Sequence, residues 1–273
     1  MNLRNKTLIV IGAFLIWLII LLNIAAQIEL EISFSDLEQT ETQKNVYRVL
    51  NAISNELASL DNLANYWAAR NDTYTFITTG DPTFIHYNLA SGSLTNESMQ
   101  DIGIDLILLM DSYGQIVFGR YLNVIGNPEE IPKNLTEQLS LYGFCPGCLD
   151  KKSKFAGMIL LSGQPMLIVA QPITNNIRKS PSVGRVVLGR YLTKKEVSKL
   201  SDLTRLNITI FPLGEERMPD DFKQVRTILS HGTNTISIRS LNETIIAGYT
   251  LLRDTYGKFV PGKSITLILR IPK

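Results

Sequence analysis

The chain has 273 residues, of which 45% are hydrophobic, and this content excludes a disordered chain. Its 18 glycines and 11 prolines exclude a collagen-like protein, and its two cysteines are too few for a disulfide framework. The net charge is only +2, and no basic stripe alternates with aromatic side chains, so nucleic acid is not an expected partner.

Residues 8–26 form an apolar run in which only Asn23 is polar. A helix of this length covers about 28 Å, close to the hydrocarbon thickness of a bilayer. A cleaved signal peptide is the alternative, but its apolar core is normally shorter. Arg4 and Lys6 precede the run, which predicts a cytoplasmic tail at residues 1–7, a single membrane helix and an extracytoplasmic remainder.

Asn-x-Ser/Thr sequons agree with an external location of the remainder. The candidate glycosylation sites are Asn96, Asn134, Asn207 and Asn242, with further sequons at Asn71 and at the cytoplasmic Asn5.

A long stalk or packing helix is predicted within residues 27–72. Apolar residues recur there with alternating spacings of four and three: Val46, Leu50, Ile53, Leu57, Leu60, Ala64 and Trp67. This seam fits a dimeric coiled-coil stalk or a helix that lies on its own domain, and the spacing does not choose between them.

Residues 73–192 are predicted to form a first module built mostly from antiparallel strands. Strands at 104–110 and 115–120 flank the turn signal Asp111-Ser112-Tyr113-Gly114. A helix is predicted from Pro128 to Tyr142. Three strands then follow, at 156–161, 166–171 and 185–191.

Residues 193–273 are predicted to form a smaller, membrane-proximal α+β module. Thr193-Lys194-Lys195-Glu196 has the pattern of a capping box at the start of a helix. A strand at 206–211, a helix at 219–229 and three more strands complete it. The expected fold class is therefore α+β.

Charge is divided unevenly between the two halves of the predicted exterior. Residues 27–143 contain five basic and 16 acidic side chains, whereas residues 144–273 contain 20 basic and nine acidic ones. The halves are expected to attract each other, within one chain or across a dimer. A basic surface for an anionic ligand is the sharper alternative.

No motif in the sequence indicates an enzyme. His86 and His231 are the only histidines and have no metal-ligand spacing, and neither a phosphate-binding glycine loop nor a nucleophile elbow is present. We therefore expect no catalytic residue, no metal and no cofactor.

Cys145 and Cys148 are separated by Pro-Gly, which favours a tight turn that brings the two sulfurs together. Outside the cell a short structural disulfide is the expected state. A redox-active pair and half of a zinc site are the alternatives.

The segment from Asn65 to Phe76 combines aromatic rings, hydrogen-bonding groups and one cation where the long helix meets the first module. Such a position suits a ligand pocket, and core packing explains the aromatic residues equally well. Its candidate ligand-binding residues are Trp67, Arg70, Asp72 and Tyr74.

The chain resembles the type-four CHASE (cyclase/histidine-kinase-associated sensory extracellular) domain over about residues 34–271. The resemblance lies in short motifs in the same order: 46–50, the Trp67-Ala68…Asp72-x-Tyr74 segment, Gly119-Arg120, Gln171-Pro172-Ile173, Leu188-Gly189-Arg190-Tyr191-Leu192 and 247–258. In its aromatic segment the chain departs from the family pattern at Tyr66, Arg70 and Asn71.

This resemblance implies an extracytoplasmic sensor of prokaryotic, often archaeal, membrane receptors, with a PAS- or Cache-like fold. Arg120 and Arg190 then join the candidate ligand-binding residues. The implied partners are the membrane, a small ligand or surface partner, a second copy of the chain, and a cytoplasmic transmitter of the histidine kinase, cyclase or chemotaxis type. The alternative is an anchored structural or adhesive envelope glycoprotein that does not signal.

Overall fold

The computed structural model describes residues 3–90, 92, 94–133, 135–136, 139, 154–175, 181–212, 219–231, 236–242, 245–252 and 265–272. The predicted disulfide residues Cys145 and Cys148 and the sequon at Asn134 lie outside these residues. Within the described chain, no helix combines the length and hydropathy needed to cross a bilayer, so the membrane helix predicted at 8–26 is not confirmed.

The first element is one helix, α1 (Leu3–Ala68), of 66 residues. After Gly12 the chain has no glycine or proline before Gly80, so no strong helix breaker interrupts the rest of this helix. It ends before the predicted limit at residue 72 because Arg70 has an extended backbone, with φ −75° and ψ 136°.

Three short helices follow in a region where the sequence predicted no regular element. They are α2 (Asn71–Thr79), α3 (Thr83–Ala90) and α4 (Asn96–Asp101). Gly80 ends α2 in the left-handed conformation, and the Thr95 side chain caps α4 by accepting from the Ser98 amide.

The larger sheet, sheet A, contains six antiparallel strands in the order β3-β2-β1-β6-β5-β4. Its strands are β1 (Leu106–Asp111), β2 (Ile116–Leu122), β3 (Pro128–Glu129), β4 (Phe155–Leu161), β5 (Gln164–Ile173) and β6 (Gly184–Tyr191). The predicted turn after β1 is confirmed, since the Asp111 carboxylate accepts hydrogen bonds from the amides of Tyr113 and Gln115. The helix predicted from Pro128 is wrong at its start, because Pro128 and Glu129 pair with β2 as an edge strand.

The smaller sheet, sheet B, has the order β7-β10-β9-β8. Its strands are β7 (Asn207–Pro212), β8 (Ile236–Asn242), β9 (Ile245–Leu252) and β10 (Ile265–Pro272). The same part of the chain contains two helices, α5 (Lys194–Thr204) and α6 (Asp220–His231). The Thr193 hydroxyl accepts from the Glu196 amide at 3.3 Å, so the predicted N-cap of α5 is confirmed.

The predicted seam of α1 packs on the chain's own sheets. Val46, Ile53, Leu60 and Trp67 are buried in a core that α1 forms with one face of sheet A and with residues of sheet B. A second core lies on the other face of sheet A, and a third lies between sheet B and α6. The α+β class with antiparallel sheets is therefore confirmed, whereas a dimeric stalk is not shown.

Sheet B lies between two helices. Ala247, Tyr249 and Leu251 face α6, and Gly248 faces α1. At Gly248 the backbone comes so close to α1 that an added Cβ atom would lie 2.6 Å from Val46 Cγ2. Helix α1 thus contacts both sheets.

Candidate functional site

The predicted aromatic segment forms a corner where α1 turns into α2. The Arg70 guanidinium lies over the Trp67 ring, with Cζ 4.6 Å from its centroid, and 5.8 Å from the centroid of Tyr66. Arg70 also makes a two-point ion pair with Asp72, in which Nε donates to Oδ1 at 2.8 Å. Trp67 is buried, whereas 60% of Tyr66 is exposed, so the corner has one apolar and one solvated side.

The ion pair sets the protonation of this corner. Burial by itself raises the pKa of Asp72, but the hydrogen bond and charge of Arg70 and the amide of Thr73 outweigh it and hold that pKa below its usual value. The hydrogen bond that Arg70 donates to Asp72 raises the pKa of Arg70. Arg70 is therefore a permanent cation whose charge is already matched within the chain.

The other aromatic residues of this segment pack into the core. Phe76 stacks on Phe84 with ring centroids 4.8 Å apart, and both meet Phe118 of β2 edge-on. The candidate Tyr74 is partly buried against the same core. The contacts of these rings are therefore those of core packing, the alternative to a ligand pocket.

Arg120 and Arg190 hold the two ends of the α4 segment on sheet A. Arg120 donates to the Leu94 carbonyl at 2.8 Å and to the Asn96 side chain, just before and at the start of α4. Arg190 donates to the Ile102 carbonyl at 3.1 Å and to the Gly103 carbonyl, just after α4 ends.

Each of these arginines follows a glycine, for a packing reason. Gly119 and Gly189 lie opposite Leu108 and Leu106 of the central strand β1. A Cβ atom at Gly119 would lie 2.3 Å from Ile131 Cδ1, and one at Gly189 would lie 2.6 Å from the Met166 sulfur. Since neighbouring residues of a strand face opposite sides, the glycine makes room in the far core and the arginine points toward the helices.

Arg190 also connects sheet A to α1. Its Nη1 lies 2.7 Å from Glu56 Oε2, and its side chain is only 13% exposed. Asp105 accepts from the Tyr191 amide at 2.7 Å, next to Arg190. Burial raises the pKa of Asp105, and the Tyr191 amide and the charge of Arg190 offset this only in part.

A second polar contact joins α1 to sheet A farther along the helix. Gln171, near the end of β5, is buried and donates from its side-chain amide to the carboxylate of Asp61. Two charged groups of α1, Glu56 and Asp61, therefore have fixed partners on adjacent strands of sheet A.

A cleft of about 990 Å³ lies between the two sheets. One wall is the end of the β4–β5 hairpin, with Gln164 and Pro165, and the others are α5 and the edge strand β7. Its volume is at the upper end of the range for small-molecule sites. Lys194 of α5 lines this cleft.

The six candidate ligand-binding residues fall into separate places. Trp67, Arg70 and Asp72 meet in the corner, Tyr74 contacts the core, and Arg120 and Arg190 hold α4. None of the six lines the cleft between the sheets. Their role in ligand binding stays a prediction.

Sequence reasoning missed Glu56, Asp105 and Lys194. Glu56 lies beside the apolar seam, where an acidic residue signals a polar partner, but nothing in the sequence points to Arg190 as that partner. Lys194 belongs to the capping box, which gives the start of α5 but not the cleft beside it.

Three of the four candidate glycosylation sites lie in the described part of the chain, at solvent-accessible places. Asn207 and Asn242 are exposed, and Asn96 is half-buried beside Arg120. Among the described residues, no group of three His, Cys, Asp or Glu side chains is placed to hold a metal ion.

Similar proteins include one curated sequence and several solved sensor structures. The methanogenesis regulatory histidine kinase FilI of Methanothrix harundinacea (strain 6Ac) is 25% identical over 235 residues. This match covers 82% of the chain but only 24% of that kinase, so the chain spans about a quarter of the length of the relative.

Two solved domains share the fold at low sequence identity. The extracellular domain of vpHK1S-Z8, described as a histidine kinase, has a TM-score of 0.54 and 13% identity, and the match covers 85% of this chain and 94% of that one. The periplasmic domain of Vibrio cholerae LuxQ has a TM-score of 0.50 and 12% identity, with 83% and 98% covered.

The sequence profile of the CHASE4 domain matches residues 52–211, which is more than half of the chain. The match begins within α1 and ends in β7, so it includes the corner, both Gly-Arg dipeptides and all the described lining residues of the cleft. The chain belongs to the CHASE4 domain family.

Proposed function

We propose that the chain is the extracytoplasmic ligand-sensing domain of a membrane-anchored signal-transduction receptor, and that it transmits changes in packing through α1. The observation that carries this proposal is that one helix contacts both sheets. Arg190 and Gln171 bind α1 from sheet A, and Gly248 touches it from sheet B.

The contacts of α1 suit transmission because buried side chains and polar groups attach the helix to both sheets. A helix held by packed side chains and ion pairs responds to a shift of the sheets as a rigid body. A ligand that favours one packing of the sheets over another would therefore change the position or rotation of α1.

The same proposal includes an anchor and partners. Residues 8–26 would hold the chain in the cell membrane with its N-terminus in the cytoplasm, since the run is apolar and basic residues precede it. The domain would act without catalysis, as a homodimer, on a cytoplasmic transmitter. The histidine kinase FilI supports a kinase as that transmitter.

An exchange of domains tests the proposal. This chain replaces the matching segment of FilI, and autophosphorylation of the hybrid is measured in membranes. Glu56→Gln keeps the size of the side chain but removes the charge paired with Arg190. We expect it to change autophosphorylation about fivefold or more, within the usual range of coupling energies.

Lys44→Gln is the matched control, because Lys44 pairs with Glu41 on the exposed side of the same helix. Circular dichroism of the purified variants verifies that both remain folded. If Glu56→Gln and Lys44→Gln leave the same autophosphorylation as the unaltered hybrid, transmission through α1 is refuted.

Surface labelling tests the location. Tyr113 is 73% exposed at the tip of the β1–β2 turn. In intact cells, Tyr113→Cys should react with a membrane-impermeant maleimide above the background of the parent protein. Reaction only after the cells are lysed would contradict an extracytoplasmic domain.

A further inference from the structure

The cleft between the sheets has a consistent chemical character. Most of its lining is apolar or uncharged, as with Leu160, Val197, Ile210 and Phe211. Gln164, Ser198, Asn207 and Thr209 add neutral hydrogen-bonding groups. Lys194 is the only charged residue among its described lining residues, and no carboxylate lies there.

Helix α5 turns one face to this cleft. Lys194, Val197, Ser198 and Ser201 line it, and their spacing of three and four residues places them on one side of a helix. The face therefore offers a cation at one end and small or apolar side chains along the rest.

Lys194 is available to a ligand. In the part of the chain that the structure describes, it forms no ion pair, whereas Lys199, on the next turn, lies 2.7 Å from Glu196. An exposed lysine that is the only charged group among the described lining residues gives the cleft a positive potential.

The edge of β7 argues against an extended peptide as the occupant. Alternate residues of an antiparallel strand direct their backbone groups to opposite sides, and the Ile208 amide, which points away from β10, already donates to Ser201 Oγ at 3.3 Å. Ile210 is the next residue with this orientation, and Pro212 has no amide hydrogen. This edge therefore offers one open amide donor, that of Ile210, too few for the ladder of main-chain hydrogen bonds that an added strand needs.

We propose that this cleft binds a free, single-chain amphipathic molecule, whose one anionic head group pairs with Lys194 and whose apolar body lies along Val197, Ile210 and Phe211. The inference rests on the proposed sensory function, because it names the chemical class of the sensed ligand. The walls belong to both sheets, so an occupant that fills the cleft fixes the spacing between the β4–β5 hairpin and β7.

Hydrogen–deuterium exchange of the full-length protein tests this proposal, with octanoate as the probe. Octanoate should protect the amides of α5 and β7 in a saturable manner, below the concentration at which it forms micelles. Lys194→Gln should raise the half-saturating concentration about tenfold, the loss expected for one hydrogen bond to a charged group. Lys195→Gln is the matched control, since Lys195 is exposed beside Lys194 but does not line the cleft.

Two further arms examine the head group and the location. Octan-1-ol has the same apolar chain without the charge and should protect less than octanoate in the unaltered protein. Ser198→Phe, which places a ring in the cleft from an exposed position, should abolish protection by octanoate.

Four results would overturn the inference: equal responses of Lys194→Gln and Lys195→Gln, equal protection by octan-1-ol and octanoate, protection that survives Ser198→Phe, or no protection by octanoate at all. None of these results bears on the test of the proposed function, which is the effect of Glu56→Gln on autophosphorylation of the kinase hybrid. An effect of Glu56→Gln on the hybrid, together with an absence of octanoate protection, would refute the ligand class and keep the proposed function.

Discussion

The close approach of β9 to α1 predicts a strong effect of a single methyl group. An alanine Cβ at position 248 would lie 2.6 Å from Val46 Cγ2 and 3.0 Å from Thr42 Cγ2. Both neighbours are buried on α1, so they have little room to move. Gly248→Ala should therefore lower the free energy of unfolding by about 1–3 kcal/mol, the usual cost of overpacking a core.

A double-mutant cycle separates this clash from other effects of the substitution. Val46→Ala removes the nearest methyl group and should by itself cost about 1.6 kcal/mol, from two buried carbon groups. In the double variant the new methyl group occupies part of the vacated space. Its loss of stability should then be smaller than the sum of the single losses by about 1 kcal/mol.

Urea unfolding of the purified full-length protein, followed by circular dichroism, measures these differences. Gly12→Ala is the control, because nothing lies within 4 Å of a Cβ atom added at Gly12. This control should be neutral or slightly stabilising, since alanine favours helix over glycine. A loss below about 0.5 kcal/mol for Gly248→Ala, or additive losses in the cycle, would refute the close contact between β9 and α1.

Three other predictions follow from partly buried charged residues. The folded-state pKa of Asp72 is lowered, so its ion pair stabilises the protein above the ordinary pKa, and this stabilisation is lost as the pH falls through the folded value. Asp72→Asn should therefore weaken the pH dependence of the free energy of unfolding in urea between about pH 5 and pH 3, by less than about 1 kcal/mol. The folded-state pKa of Asp105 is raised, so stability is lost as the pH rises through that pKa. Asp105→Asn keeps an acceptor for the Tyr191 amide. At pH 7 this variant should unfold at a higher urea concentration than the unaltered protein, and below pH 4 the difference should disappear. Arg120→Lys should speed amide hydrogen exchange in α4 about tenfold and leave exchange in β9 unchanged, since lysine cannot replace the forked hydrogen bonds of arginine. Equal exchange of α4 in this variant and in the unaltered protein would contradict the role of Arg120 in holding α4.

Local signals in the sequence were sufficient for elements whose structure is set by neighbouring residues. The turn after β1 follows from Asp111 and Gly114, because the carboxylate satisfies two turn amides and glycine accepts a φ of 80°. The N-cap at Thr193 follows in the same way from the hydroxyl and the Glu196 amide.

Features that depend on distant residues could not be predicted. Pro128 is a common first residue of a helix, but the exposed edge of β2 recruits it as a short strand. Likewise, Gly119-Arg120 suggested a ligand site, and only the pairing of β1 with both β2 and β6 places the two arginines at opposite ends of α4. The cleft lies between segments far apart in the chain, and no spacing in the sequence signals it.

The way in which the two arginines hold α4 has a consequence for how such a domain diversifies. Three of their four acceptors in this segment are backbone carbonyls, which every amino acid possesses. The exposed side chains of Glu97 and Asp101 contribute nothing to that attachment and are free to change. Substitutions at these exposed positions would therefore change the charge and polarity of this surface while the attachment of α4 to sheet A stays the same.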